Sequence, residues 1–384
     1  MKITFNGSPG PTLGVELELQ LLDPETKNLV SGAPRILERL GDDAHIKPEL
    51  IESTIELNTA VCRDVGAVRR DLEQRIGQLL AVCDELGYEV ASAGTHPFAE
   101  WSEQRVTAKE RYTMLVDRCQ WPARRLMIFG LHVHVGIQSG EKAIAVFNAL
   151  TTYLPHLLAL SASSPYFNSL DTGLTSCRVK VFESLPTAGL PYRLLNWGEF
   201  QRLMTTLVNA KAIESIREVW WDVRPHPQFG TVEVRICDGL PTLDDVVAMT
   251  AMIQALVVWL GDQYDEGSYI PLQRYWIVRE NKWRAARWAL DADLIVDDDG
   301  NLERLGDAIE ALLEALDPVA ARLGSRDELA RVRAIMRDGP NYLQQRRLYG
   351  ETGRFTELME SLVRQFRAGI PDYMGLRPKP LPEL

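Results

Sequence analysis

Four stretches of the chain alternate polar and apolar residues with a period of two. They read GVELELQLL from residue 14, ELIESTIELNT from residue 49, GLHVHVGI from residue 130 and GTVEVRICD from residue 230. Successive side chains of a β-strand point to opposite faces, so each stretch predicts a strand with one apolar and one polar face. The four strands could therefore share a core on one side and a polar surface on the other.

Longer stretches show the apolar spacing of helices. An apolar stripe between Asp64, which can cap a helix N-terminus, and Gly87, which can end a helix, predicts a helix over 64–86. Further helices are predicted over 141–162, interrupted at Pro155, and over 199–211, 243–260, 305–323, 326–337 and 355–366. A Ser/Gly/Pro-rich stretch over 161–191 predicts a long loop. Because strands and helices do not alternate regularly, the pattern favours an α+β fold over a doubly wound parallel sheet.

Composition narrows the kind of protein. Of 384 residues, 46% are hydrophobic and 25% charged, a mixture that can bury a core without disulfides. The five cysteines are odd in number and form no CxxC pair, which favours reduced thiols in the cytoplasm. No signal peptide is visible, and the most apolar stretch, 249–260, is shorter than the roughly 20 residues of a membrane span. The net charge of −11 argues against nucleic-acid binding. We expect a cytoplasmic protein that binds neither membranes nor nucleic acids.

The polar faces of the four predicted strands carry an unusual set of side chains. They are Glu16, Glu18 and Gln20; Glu52, Thr54, Glu56 and Asn58; His132 and His134; Glu233 and Arg235. Glutamates on neighbouring strands repel one another and raise one another's pKa unless a cation neutralises them. Carboxylates with an occasional imidazole suit Mg²⁺ or Mn²⁺ better than Zn²⁺. If the strands are neighbours, the sequence predicts a divalent-metal site.

A second set of residues is cationic. It comprises Arg178, Lys180, Arg224, Arg235, Lys282, Arg284 and Arg287. Cations beside a carboxylate–metal cluster are what a polyphosphate requires, although each of these residues alone could be surface charge. The chain has neither GxxxxGK[ST] nor GxGxxG, so a bound nucleotide would be held by metals and the sheet. The tryptophan pairs 220–221 and 283/288 could stack on adenine, but core packing is the better interpretation.

The HVHVG stretch also permits a different interpretation. A His-x-His pair occurs in metal-dependent hydrolases, which need further His and Asp ligands downstream. Of the remaining histidines, His156 lies in a predicted helix and His226 in a Pro-flanked loop, so that set is poorly completed. His134 could be a metal ligand or a hydrogen-bonded structural histidine.

Several blocks of the sequence are similar to one known family. They are TLGVELELQLLDPET, ELIESTIELNTAVC, SAGTHPF, GLHVHVG, LSASSPYFNSLDTG, SLPTAG, WWDVRPHPQFGTVEVRICD and ENKWRAARWALDA. In this order, from about residue 12 to residue 290, they resemble the bacterial ATP-dependent carboxylate–amine ligases of the glutamate–cysteine ligase type 2 family. Many relatives read GVEEEF where this chain reads GVELEL, so Leu17 replaces an acid on the apolar face.

The resemblance implies a fold and a site. The fold would be glutamine synthetase-like, with an antiparallel curved sheet forming a half-open barrel and helices on its outer face. ATP and Mg²⁺ would lie on the concave face. Glu16, Glu18, Glu52, Glu56, His132 and Glu233 would surround the metals, and Arg235 would contact phosphate. Arg178, Lys180 and Lys282 are further candidates for ATP binding.

The sequence thus predicts an ATP- and Mg²⁺-dependent ligase that joins a carboxylate, expected to be that of glutamate, to an amine such as cysteine through an acyl phosphate. Glu233 and Arg235 are its predicted catalytic residues. A metal-dependent hydrolase without ATP and a non-catalytic nucleotide-binding relative stay open as alternatives. We expect one catalytic domain over 1–384, with a sheet-containing core over 1–290 and a helical part over 291–384. A homodimer is common among such enzymes, but no residue pattern here indicates one.

Overall fold

The computed structural model describes residues 2–370 except residues 42 and 269. The strands are β1 Leu13–Leu22, β2 Ile46–Pro48, β3 Thr54–Asn58, β4 Glu89–Ala91, β5 Gly130–Gly136, β6 Tyr166–Phe167, β7 Leu170–Asp171, β8 Ala188–Gly189, β9 Trp220–Trp221, β10 Val223–His226, β11 Thr231–Asp238, β12 Asp293–Ile295 and β13 Leu302–Arg304. The helices are α1 Ala33–Leu40, α2 Val65–Leu86, α3 Glu110–Cys119, α4 Trp121–Arg124, α5 Gly140–Ser161, α6 Arg178–Phe182, α7 Trp197–Asn209, α8 Leu243–Asp265, α9 Tyr275–Trp288, α10 Leu305–Leu323, α11 Arg326–Asp338, α12 Asn341–Thr352 and α13 Phe355–Arg367.

Seven strands form one antiparallel sheet in the order β10-β11-β5-β1-β3-β2, with β4 paired to the end of β1. The long strand β1 organises this sheet, since it pairs with β5 on one side and with β3 on the other. The two end strands, β10 and β2, do not pair with each other, so the sheet stays open. The expected α+β class with an open antiparallel sheet is confirmed.

One face of the sheet is apolar and covered by helices. It carries alternate residues such as Leu17, Leu19, Ile55, Val133 and Val234, all nearly inaccessible to solvent. Helix α2 packs on β1 and β3, α5 on β10 and β11, and α8 on β5. Burial of this apolar area is the main stabilising contribution, at about 25 cal/mol per Å² removed from water. The helices are thus on the outer face, as expected.

Helices α5 and α8 are long and apolar enough to cross a membrane. However, 78% of the most apolar 18-residue stretch of each helix is buried inside the protein. Such burial is what core helices show, because their neighbours are other helices and the sheet.

Most predicted helices are found within a few residues of their expected ends. Asp64 caps α2 by accepting a hydrogen bond from the Ala67 N–H at 2.7 Å, and Gly87 ends it with a φ of 73°. The expected interruption at Pro155 was wrong, because α5 continues through this residue. Packing on the sheet, α8 and α9 holds the helix together there.

The stretch 161–191 was predicted to be a long loop, but parts of it form regular secondary structure. It contains α6 and the short strands β6, β7 and β8. Behind the sheet, α10 and α11 pack on α8, whereas α13 packs on β4. The organisation as one catalytic domain stays a prediction, and these contacts of the C-terminal helices with the core agree with it.

Candidate active site

The polar face of the sheet gathers the predicted acids and histidines. In the strand register Glu16 lies opposite His132, Glu18 opposite Glu56, and Glu233 opposite His134. Side chains of this face line a cavity of about 340 Å³, a volume within the range of small-molecule sites. His134 and Glu233 are buried in the same face and do not line the cavity. The assumption that the four strands are neighbours is therefore correct.

One group of ligand atoms could hold a metal ion. Atoms of Glu16, His134 and Glu233 all lie within 4.8 Å of one another. The His134 Nδ1 lies 3.0 Å from the Thr231 hydroxyl, which fixes the ring so that Nε2 faces the two carboxylates. That Nε2 is buried without a hydrogen-bond partner, 3.4 Å from Glu16 Oε1 and 3.9 Å from Glu233 Oε1. A buried nitrogen aimed between two carboxylates fits a cation ligand.

His132 lies beside this group on β5. Its Nδ1 is 3.1 Å from Glu16 Oε2, and its Nε2 is 4.0 Å from Glu18 Oε1. Burial, with the charge of Arg235 nearby, lowers the pKa of His132 to about 4. The ring is therefore neutral near pH 7, the form in which imidazole binds metals.

Glu16, in contrast to the neutral His132, is ionised. Burial raises its pKa, but the imidazoles of His132 and His134 beside it outweigh burial and hold the pKa well below its usual value. Glu16 is thus ionised and lies between two imidazoles, where an anionic oxygen is available to a cation.

Three further glutamates form what we call the acid cluster: Glu18, Glu49 and Glu56. Burial raises the pKa of Glu18 to about 7. Burial and the charges of Glu56 and Glu18 raise the pKa of Glu49, and burial and the charge of Glu16 raise that of Glu56. Within the described residues, no Lys or Arg nitrogen lies within 4 Å of these carboxylates. The protein supplies no lysine or arginine at bonding distance, so without a ligand these carboxyls retain protons that a cation supplied from outside would displace.

Glu49 was missed by the sequence reasoning. It lies between β2 and β3, at the start of the ELIESTIELNT stretch but out of phase with its polar positions, and its carboxyl shares a hydrogen bond with that of Glu56. The only signal was a further acid in the same ELIES segment. Glu52, which was predicted as a metal ligand, lies instead in the turn before β3 and does not line the cavity.

Two arginines surround Glu233. The Arg224 Nε donates to Glu233 Oε2 at 2.6 Å, and the Arg235 Nη1 donates to Oε1. Burial raises the pKa of Glu233, but these two positive charges outweigh burial and hold the pKa well below its usual range. Arg235 lines the cavity, so the carboxylate fixes a guanidinium where a ligand could bind.

Of the other predicted phosphate-binding residues, the structure brings one to the cavity. Arg178 lines it, with a side chain that is almost entirely buried. Lys180 lies with its Nζ 2.9 Å from Glu183 and 5.2 Å from the centre of the Trp283 ring. Lys282 is buried in ion pairs with Asp222 and Glu183. Neither lysine lines the cavity, and their role in ATP binding stays a prediction.

The upper walls of the cavity differ from its floor. Apolar side chains from β9 and from the segments around α3, α4 and α6 form one wall, among them Leu126, Phe182 and Trp220. Four exposed cations lie around the mouth: Lys47, Lys109, Arg111 and Arg217. An acidic floor, an apolar wall and a cationic mouth together suit a ligand with an aromatic part and several negative charges.

The two tryptophan pairs lie in different environments, and His226 lies at the cavity. Trp221 packs in the core against Phe147, as expected, and Trp220 is buried against the cavity. Trp283 and Trp288, in contrast, are 39% and 44% exposed on α9. His226 lies on β10 with its ring centre 5.5 Å from that of His134, so it belongs to the cavity and not to an isolated loop.

Comparison with solved structures defines the class of fold. A glutamate–cysteine ligase from Francisella tularensis, solved in complex with AMP, superposes with a TM-score of 0.69 and 13% identity over 98% of this chain and 94% of its own. A bifunctional glutathione synthetase from Pasteurella multocida gives a TM-score of 0.61 at 15% identity, covering 94% of this chain and 52% of its own. The fold is therefore shared with amide-forming ligases.

The sequence identifies the family. Residues 12–364 match the glutamate–cysteine ligase family 2 (GCS2). A protein of Frankia alni named "putative glutamate–cysteine ligase 2-1" is 46% identical over 98% of this chain and 100% of its own length. The chain belongs to the glutamate–cysteine ligase family 2, and the family resemblance is confirmed.

Proposed function

We propose that this chain is an ATP- and Mg²⁺-dependent ligase that joins the carboxylate of glutamate to an amine, with cysteine as the first acceptor to test. The observation that carries the proposal is the unneutralised acid cluster, which shares one cavity with Arg178 and Arg235. Family membership and the names of the relatives support the same activity. An AMP complex of a ligase with this fold supports a nucleotide substrate.

Two groups of side chains on the polar face of the sheet fit divalent metals, one lining the cavity and one extending beneath it to the buried His134 and Glu233. Glu16, His134 and Glu233, with His132 beside them, would hold one ion, and Glu18, Glu49 and Glu56 would hold another. Bound there, Mg²⁺ would supply positive charge between the carboxylates and the phosphate oxygens. Glu52 does not line the cavity, and its role as a metal ligand stays a prediction.

The two arginines would act on the nucleotide. Arg235, fixed by Glu233, and Arg178, fixed by main-chain carbonyls, would present their charges to the phosphate oxygens. Charge builds up on these oxygens during transfer, and a cation that is already in place stabilises it without reorganisation. This is the role that we assign to Arg235 as a catalytic residue.

The reaction would proceed in two displacements. A carboxylate oxygen of glutamate attacks the γ-phosphorus of ATP, and the bond from this phosphorus to the bridging oxygen breaks, which releases ADP. The amine nitrogen of the acceptor then attacks the carbonyl carbon of the acyl phosphate. The carbon–oxygen bond to phosphate breaks, the nitrogen loses a proton, and an amide and phosphate result.

The test is phosphate release from ATP and Mg²⁺ with glutamate, with and without cysteine, followed by mass spectrometry. We expect release that needs both amino acids and a γ-glutamyl dipeptide as product. Release with glutamate alone would support acyl-phosphate formation with another acceptor. Absence of ATP turnover across a panel of carboxylates and amines, or amide hydrolysis with metal alone, would refute the proposal.

A further inference from the structure

A buried carboxylate outside the metal-binding floor holds together the segment that leads into α6. Asp238, the last residue of β11, is fully buried. Its Oδ2 accepts from the Ser163 N–H at 3.0 Å and the Ser164 hydroxyl at 2.6 Å, and its Oδ1 accepts from the Ser176 hydroxyl at 2.8 Å. Burying a carboxylate is costly unless hydrogen bonds satisfy it, so this set of three donors is a built arrangement.

The serines around Asp238 tie two passages of the chain to each other. The Ser164 hydroxyl also accepts from the N–H of Arg178 at 3.1 Å, and its carbonyl accepts from the N–H of Cys177 at 2.9 Å. Helix α6 begins with Arg178. The carboxylate therefore sets the position of the first residue of α6 relative to the end of β11.

Arg178 reaches the cavity from this position. Its guanidinium donates to the carbonyls of Arg235 and Ile236, both at 3.3 Å. These carbonyls lie where the pairing of β11 with β5 shifts register between Val234 and Cys237, and such a bulge leaves backbone groups unpaired. The Nε of Arg178 is buried without a hydrogen-bond partner.

A glycine, Gly130, leaves the space that this guanidinium occupies. A Cβ at Gly130 would lie 2.1 Å from the Arg178 Nη2. The N–H of the same glycine donates to Glu18 Oε2 at 2.6 Å. In the described part of the chain, no carboxylate lies within 4 Å of the Arg178 nitrogens. The guanidinium is thus a buried cation in the cavity wall, beside the acid cluster, that retains capacity for an anion.

We infer that Asp238 is a positioning residue for nucleotide binding: through Ser164 and Ser176 it places Arg178 where its guanidinium contacts the phosphates. This inference rests on the proposed function, since it takes the anion to be ATP. It goes beyond that function because Asp238 itself touches neither the cavity nor the ligand.

The variants Asp238→Asn and Ser176→Ala test the inference. Loss of a hydrogen bond in this network should let Arg178 shift, so the KM for ATP should rise about tenfold in each variant while kcat changes less. Ser176→Ala keeps the Asp238 carboxylate and two of its three donors. It therefore still tests the inference if Asp238→Asn folds poorly. As a matched control, Ser139→Ala removes the N-cap of α5 and should lower Tm without changing the KM for ATP.

A double-variant comparison separates positioning from a purely structural role. In an Arg178→Ala background, Asp238→Asn should add little further to the KM, because its target is already gone. An unchanged KM in the single variants, or the same increase in both backgrounds, would overturn the inference. Failure of the proposed function would give a different result. A calorimetric titration of the wild-type enzyme with MgADP would then show no binding, and the enzyme would not turn over ATP.

Discussion

Two clusters of charged side chains in this protein differ in whether the protein supplies the neutralising charge. The acid cluster of Glu18, Glu49 and Glu56 has no lysine or arginine within 4 Å in the described chain. Lys282, in contrast, is buried between Asp222 and Glu183, so that one ammonium meets two carboxylates. The first cluster lines the cavity and the second does not. A charge cluster that lies away from the cavity and is neutralised by the protein itself serves the fold, whereas one that lines the cavity without a lysine or arginine partner points to a ligand.

The pKa values show the same contrast. Burial raises the pKa of Glu18 to about 7, because the nearby arginine charges do not overcome it. Burial also acts on Glu183, but the charges of Lys282 and Lys180 outweigh it and lower the pKa of that carboxyl. Asp222, the more deeply buried partner of Lys282, keeps a raised pKa because burial outweighs the ammonium charge. The pKa of a carboxyl here therefore depends on the balance between its burial and the cations beside it.

The largest effect is expected from Glu233→Gln. The neutral side chain would no longer fix Arg235 by charge, nor offer an anionic oxygen to a metal beside His134. We expect kcat/KM for ATP-dependent ligation to fall by a factor on the order of 10³, with the far-ultraviolet circular dichroism spectrum unchanged. Ligation at the wild-type rate would contradict the assignment of Glu233 to the site.

Lys282→Met tests the other side of the comparison. Removing the ammonium leaves Asp222 as an unpaired buried charge, whereas Glu183 keeps Lys180 as a partner, so the free energy of unfolding in urea should fall by about 3–5 kcal/mol. The KM for ATP of the folded protein should stay within twofold of wild type. As a control, Lys282→Met combined with Asp222→Asn should recover part of the lost stability. A large rise in KM would instead support the predicted role of Lys282 in ATP binding.

Mg²⁺ should stabilise the protein through the acid cluster. At about 100 times its Kd, an ion that binds only the folded state adds about 2.7 kcal/mol of stability, which a thermal melt with and without Mg²⁺ would show as a rise in Tm. Glu56→Gln should lose much of this rise and should melt higher than wild type without metal, since one repelling charge is gone.

A matched control for the Mg²⁺ experiment is Glu303→Gln, an exposed glutamate on β13. It should respond to Mg²⁺ as the wild type does. If Glu56→Gln also gained the full wild-type rise in Tm, the acid cluster would not be a metal site.

The sequence predicted the polar face of the sheet well, for a specific reason. A period of two assigns side chains to faces independently of tertiary structure, so Glu16, Glu18, Glu56, His132 and Glu233 were correctly placed together. Periodicity gives no guidance where a strand has not yet begun. For that reason Glu52 was placed on the strand although it lies in a turn, and Glu49 was overlooked.

Ion pairing was beyond the reach of the sequence. Lys282 and Asp222 are 60 residues apart, and nothing in the local pattern of either shows that α9 brings the ammonium to the start of β10. Seen in sequence alone, Lys282 and Arg178 were both free cations and equal candidates for phosphate binding. Only their tertiary partners distinguish them.

The smallest effect concerns a buried histidine that belongs to neither cluster and so shows what burial does without charged neighbours. Burial alone lowers the pKa of His156 from 6.5 to about 4. Between these values the unfolded chain binds a proton that the folded protein does not, so stability falls as the pH drops from 6.5 towards 4. From about pH 6.5 to pH 5.5 this residue should cost about 1 kcal/mol. His156→Leu should remove that part of the pH dependence in urea unfolding, and identical slopes in variant and wild type would show that burial alone does not depress a pKa in this core.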